Sequence, residues 1–279
     1  MKSKFGTTFS TIGEALISPE KTFHKDDYLK SSLFLLLLII YVLTLASALI
    51  NISVMNRPEM QEFQLELSVK QAEKRMIGAS EADKEVMREQ ILKGMNSPAA
   101  KIIKYVSLFI TSGFWLLVPL LFWGLQTIAA RFFGGEEIPV TVEKKKGTVS
   151  RKHRRSLFFS LIAFIPIGFY SLFAALLLLL RNPDFMTNVL SMEDFMGKMD
   201  SNFSLFGLLV SAELPVFLDT ALSTLTNPFY WWMFFIAWFG MKEEWRLKKS
   251  GTITVLVIWV ILTGLWAQMS YSFAGMFTA

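Results

Sequence analysis

Glu213 and Asp219 are the residues whose type and setting come nearest to chemistry, because they are the acids of an otherwise apolar stretch. An ionisable side chain inside a membrane segment is costly and marks ion or proton pathways. One reading of the pair is therefore a proton or cation site. The other is two carboxylates facing water at the membrane surface, and the lack of a basic partner within the apolar segments favours it. A second group is basic: Lys144, Lys145, Lys146, Arg151, Lys152, Arg154 and Arg155 crowd one connection. Such a cluster attracts anionic lipid headgroups by about 1 kcal/mol per side chain near the surface. Setting the topology of the chain is a sufficient role for it as well. Other chemistry is missing. There is no Cys, which excludes thiol nucleophiles, disulfides and cysteine-held metals. There are 2 His: His153 lies in a basic run and His24 has no ligand partner nearby. The Gly pair Gly134-Gly135 is not followed by a phosphate-binding pattern. The expectation is a protein that is not an enzyme, with no cofactor and no metal.

The elements that carry these residues follow from where the apolar residues sit. The chain has 279 residues, 53% hydrophobic and 18% charged, with 26 Phe. Charge is absent from 31–54, 105–130, 156–180, 227–241 and 250–279. A membrane-crossing helix takes about 20 mostly apolar residues. The 227–241 segment reaches that length only if its helix starts earlier. The expected fold is all-α: a polytopic membrane bundle of five transmembrane helices with an extracytoplasmic helical loop. The net charge of +5 is too small to argue for a nucleic-acid partner. Lys and Arg crowd 1–30, 131–155 and 242–249, whereas 181–226 holds Arg181 and Lys198 against six acids. By the positive-inside bias the N-terminus is cytoplasmic and the C-terminus extracytoplasmic. Trp231, Trp232, Trp245 and Trp266 fall near span ends, where interface anchors belong.

Three further segments have a character of their own. In 1–30, Phe9, Ile12, Leu16 and Ile17 repeat at helical spacing before Pro19. That predicts a short amphipathic helix on the cytoplasmic leaflet, turning at Ser18-Pro19. The 55–103 loop predicts two amphipathic helices broken near Gly78, with Ser80 and Asp83 as an N-cap. They pack on each other or on the membrane surface, or else they dock an extracytoplasmic partner. In 182–226 the residues Phe203, Phe206, Val210, Leu214, Phe217 and Ala221 share one helical face, which suggests an interfacial helix. Glu213, Pro215 and Asp219 argue against a sixth span there.

Several of these features recur in order in one known family. The run Ile17-Ser18-Pro19-Glu20-Lys21-Thr22-Phe23 precedes the first span, and an acidic Met- and Gln-rich loop follows it. Phe132-Phe133-Gly134-Gly135 comes after the second span and Ile165-Pro166 lies within the third. Asn227-Pro228-Phe229-Tyr230-Trp231 opens the fourth, which ends at Gly240. In this the chain resembles the Yip family of multi-pass membrane proteins (Rab-GTPase-interacting-protein-like), in its bacterial form, over nearly its whole length. The heavy basic run after Gly135 departs from the family pattern. The resemblance implies one Yip-like membrane domain over 1–279, without catalytic activity, in a bacterial cytoplasmic membrane. Some bacterial members are linked to ABC-type exporters. The implied role is an accessory or scaffold partner of another membrane complex, with membrane lipids around it. The alternatives are a transporter or channel in its own right, or a lipid-remodelling protein.

Overall fold

The structure is a computed structural model, and it describes residues 4–23, 32–75, 80–135, 140–144, 147–151, 154–180 and 214–278. The N-terminal pair is α1 (Lys4–Ile17) and α2 (Pro19–Phe23). Next come α3 (Leu33–Met55), α4 (Pro58–Arg75), α5 (Glu81–Asn96), α6 (Pro98–Phe114) and α7 (Leu117–Phe132). A hairpin of β1 (Val140–Lys144) and β2 (Gly147–Arg151) leads into α8 (Arg154–Ala163) and α9 (Ile165–Leu180). The rest is α10 (Val216–Thr226), α11 (Pro228–Glu244) and α12 (Lys249–Thr278). Four segments are long and apolar enough to cross a membrane: Leu33–Met55, Pro98–Phe132, Ser156–Leu180 and Lys249–Met269. The chain is thus a helical, multi-pass membrane protein.

Local sequence explains the breaks. Pro119 lacks the N–H that would bond back to Trp115, so α6 and α7 meet at a turn over Trp115-Leu116. Pro166 does the same between α8 and α9, where Phe164 closes a turn on Leu161 O at 3.1 Å. Asn227 caps α11: its Oδ1 accepts from Phe229 N at 2.9 Å, and Pro228 occupies the first helical position. The 227–241 helix therefore does not start earlier; α11 has 17 residues, about 24 Å along its axis.

The helices alternate in direction. Ser47 Oγ donates to Ser171 O at 2.9 Å and Leu43 lies on Gly168, so α3 and α9 run side by side in the same sense. Lys104 Nζ reaches Asn56 Oδ1 at 2.7 Å, so α6 starts where α3 ends and runs against it. Phe159 packs on Gly240 while Tyr170 packs on Phe229 and Tyr230, which sets α11 against α8 and α9. Phe122 meets Trp259 and Phe133 meets Gly251, which sets α12 against α7. At the core Phe122, Phe164 and Trp259 form an edge-to-face trio with centroids 4.9–5.5 Å apart. Aromatic pairs prefer this arrangement because a ring edge is positive and a ring face negative.

Two sequence expectations change here. Helix α1 forms and ends before Pro19, yet its Ile12 and Ala15 face is buried in the bundle core and Thr8 and Thr11 are buried beside them. Trp232 Nε1 donates to Leu16 O at 2.8 Å, and Ser32 N donates to Thr8 Oγ1 at 3.2 Å. Small side chains let α1 approach the other helices closely, while Phe9 and Ile17 of the predicted stripe stay exposed. Of the proposed tryptophan anchors, Trp231 and Trp266 are exposed, whereas Trp245 is a core residue at 3% exposure. It lies in the turn that packs back on the end of α7.

Candidate functional site

Small polar residues are scattered through the apolar segments, and the structure gathers several of them into one cleft. Thr44, Ser47 and Asn51 fall at spacings of three, four and seven on α3, a single helical face. They meet Thr111 on α6 and Ser171 on α9 around a cavity of about 280 Å³. Ala48, Ala174 and Ala175 leave the room for it. Two of the hydroxyls bond within their own helix. Thr44 Oγ1 donates to Ile40 O at 3.0 Å, and Ser171 Oγ donates to Ile167 O at 3.1 Å. Bonding back one turn is the usual solution for Ser and Thr in a helix. The amide of Asn51 makes no side-chain hydrogen bond among the described residues. No charged residue lines this cleft. It can accept a small polar or amphipathic guest, but it holds no group that titrates near neutral pH.

A second, larger cavity of about 450 Å³ sits where α3 ends and α6 begins, under the α4–α5 pair. Asn56 caps α3, and its Oδ1 holds Lys104. Ser97 caps α6, its Oγ accepting from Ala100 N at 3.1 Å, with Pro98 in the first turn. Gln61, Gln64, Glu62, Lys101 and Arg88 supply the polar wall, and Met55, Leu65 and Leu92 the apolar one. Leu108, buried one turn below Lys104, lies along α6 between this cavity and the polar cleft. The chamber depends on the α4–α5 pair being organised. Met60 and Leu65 are buried within it. Ser80 and Asp83 form a capping box at the start of α5, with Asp83 N donating to Ser80 Oγ at 3.3 Å and Ser80 N to Asp83 Oδ2 at 3.0 Å. These bonds favour the charged carboxylate and hold Asp83 below the usual carboxylate range.

The residues singled out from sequence lie elsewhere. Asp219 is in the first turn of α10 and half-buried, where the helix dipole favours an acid. Glu213 lies outside the described residues. The basic connection is in part a β-hairpin in the register Val140↔Arg151 to Lys144↔Gly147, and alternating Val140, Val142 and Val149 were its overlooked signal. Lys144 ends β1, Arg151 ends β2, and Arg154 and Arg155 open α8. Lys145, Lys146 and Lys152 lie outside the described residues, as do His24 and His153. Sequence reasoning missed the end cavity. Its cations Arg88, Lys101 and Lys104 come from two helices, and only the 101–104 spacing was visible beforehand. Among the described residues no group of three His, Cys, Asp or Glu could hold a metal. Comparison with protein-family models, with curated proteins and with solved structures finds no match.

Proposed function

We propose that this chain is a non-enzymatic membrane protein of five spans that serves as an accessory or scaffold partner of another membrane complex. The observation that carries this reading is the α4–α5 pair. It is a folded projection with its own cap and buried Met60 and Leu65, yet it leaves Glu59, Glu62, Glu66, Glu85, Val86 and Glu89 exposed. An organised surface at the end of a membrane bundle, without reactive groups, is suited to recognition. In this reading α11 is the short fourth span: its 17 residues are at the lower limit for crossing the hydrocarbon core. The ends near Ser32, the β-hairpin and the 245–248 turn face the cytoplasm, with the α4–α5 pair outside, because the first set carries the Lys and Arg excess. The family resemblance adds a bacterial inner membrane and an ABC-type exporter as the kind of partner.

Absence of Cys makes orientation directly testable. Glu85→Cys is expected to label from outside intact cells and Lys248→Cys only after the membrane is opened; the reverse pattern overturns the orientation. Purification from the native membrane in mild detergent is expected to recover a stable second component. Recovery only as a lone chain removes the scaffold reading. The polar cleft favours one other reading, a transporter in its own right, because it brings Thr44, Ser47, Asn51, Thr111 and Ser171 to one place between helices. Solute or ion flux in reconstituted vesicles that vanishes in Asn51→Leu would establish that reading instead.

A further inference from the structure

We infer that the cavity between the end of α3, the start of α6 and the α4–α5 pair binds the anionic headgroup of a phospholipid. Arg88, Lys101 and Lys104 line the cavity, against the single acid Glu62. Among the described residues no ion pair joins Arg88, Lys101 or Lys104 to a carboxylate, and the partner of Lys104 is the neutral amide of Asn56, at 2.7 Å. Lys104 is also only half-exposed. A cation held away from bulk water without a counter-charge gains most from an anion brought to it. The volume, about 450 Å³, is of the size that takes a small polar group.

Position then selects a lipid over a soluble anion. The cavity is at the level where α3 ends and α6 begins, at the edge of two segments apolar enough to cross the membrane. On the flank of α6 next to Lys101, Ile102, Tyr105 and Phe109 are exposed, Tyr105 and Phe109 following Lys101 at successive steps of four. A headgroup seated on the Lys pair can lay its acyl chains along that flank. A free phosphate would use the cations and leave the apolar surface without a role. This site is independent of the scaffold reading, since it rests on α3, α6 and the inner side of the α4–α5 pair, whatever binds their outer side.

Native mass spectrometry of the full-length protein, released from vesicles of phosphatidylglycerol and phosphatidylcholine in equal amounts, tests the inference. Wild type is expected to retain phosphatidylglycerol preferentially. Losing both Lys charges in Lys101→Gln/Lys104→Gln should cut that retention by about 30-fold, from the per-residue attraction of basic side chains for anionic lipid. Glu62→Gln removes the one opposing charge and should raise retention several-fold, an opposite sign that a misfolded variant would not produce. Lys101→Arg/Lys104→Arg should keep the preference. Equal retention of the two lipids, wild-type retention by the double Gln variant, or displacement of the lipid by millimolar inorganic phosphate would each overturn it.

Discussion

Gly135→Ala is expected to destabilise the protein by about 2 kcal/mol, through the junction of α7 with the turn that joins α11 to α12. A Cβ at Gly135 would lie 2.7 Å from Trp245 O and 2.7 Å from Leu247 Cδ1, with Ala130 Cα at 3.3 Å. Carbon atoms pack best at about 3.5–4.0 Å, so the turn would have to retreat by roughly 0.5–1 Å. The Leu247 methyl can swing aside, but the Trp245 oxygen is backbone and cannot. Trp245 and Leu247 are 3% and 4% exposed, so the retreat opens a packed contact all along the junction. A gap of this size forfeits a quarter to a half of the dispersion attraction, and overpacking of this kind costs about 1–3 kcal/mol. Two comparisons isolate the mechanism. Gly134 has φ +68° and nothing within 4 Å of a built Cβ, so Gly134→Ala tests backbone strain alone, at about 1–2 kcal/mol. Gly134→Asn should recover part of it because Asn tolerates that region. Adding Leu247→Ala to Gly135→Ala should not restore stability, because the carbonyl contact persists. Denaturation of the purified protein by SDS titration in mixed micelles reads all four. A Gly135→Ala variant within about 0.5 kcal/mol of wild type, or full rescue by Leu247→Ala, would refute the steric account.

Three further outcomes follow from particular contacts. The Asp83 carboxylate is stabilised in the folded α5 by Ser80, so its lowered pKa contributes stability above the usual carboxylate range. That contribution is lost as pH falls through the lowered value. Amide protection over residues 80–84, taken relative to the intrinsic exchange rate at each pH, should fall on acidification, and Ser80→Ala should lower it several-fold at neutral pH and remove that pH dependence; unchanged protection counts against the capping box. Ser160 Oγ donates to Gln126 Oε1 at 2.8 Å, both buried, and binds α8 to α7. A double-mutant cycle of Ser160→Ala and Gln126→Leu should give a coupling of about 0.6 kcal/mol, as is usual between membrane helices, and zero coupling would show the pair to be idle. Asp219→Asn should lower stability by about 0.3–1 kcal/mol, through loss of charge in the first turn of α10, and leave vesicle ion flux untouched. Loss of a measurable flux in that variant would return Asp219 to the role of an ion-pathway acid.

The linear order of residues was enough to determine the class of this protein, because segregation of charge from apolar runs is a one-dimensional property. The four long spans, the break before Pro19, and the Ser80 cap with Asp83 were all legible, since each depends on neighbours within a few positions. The Asn227-Pro228 pair was legible as a motif, but that it stops α11 from starting earlier is a matter of cap geometry. The hairpin after α7 was hidden because a dense run of Lys and Arg masked a short β-branched alternation. What only the tertiary structure decided is which polar residues meet. Thr44, Thr111 and Ser171 lie on three helices, as Arg88, Lys101 and Asn56 lie on three elements, and sequence spacing says nothing of such encounters. Burial was decided there too. Trp245, directly after α11, and Trp266, within α12, are the same residue type, yet one is enclosed by a turn folding back on α7 and the other faces outward. Helix direction and contact order set those outcomes, and they are fixed by packing between segments far apart in the chain.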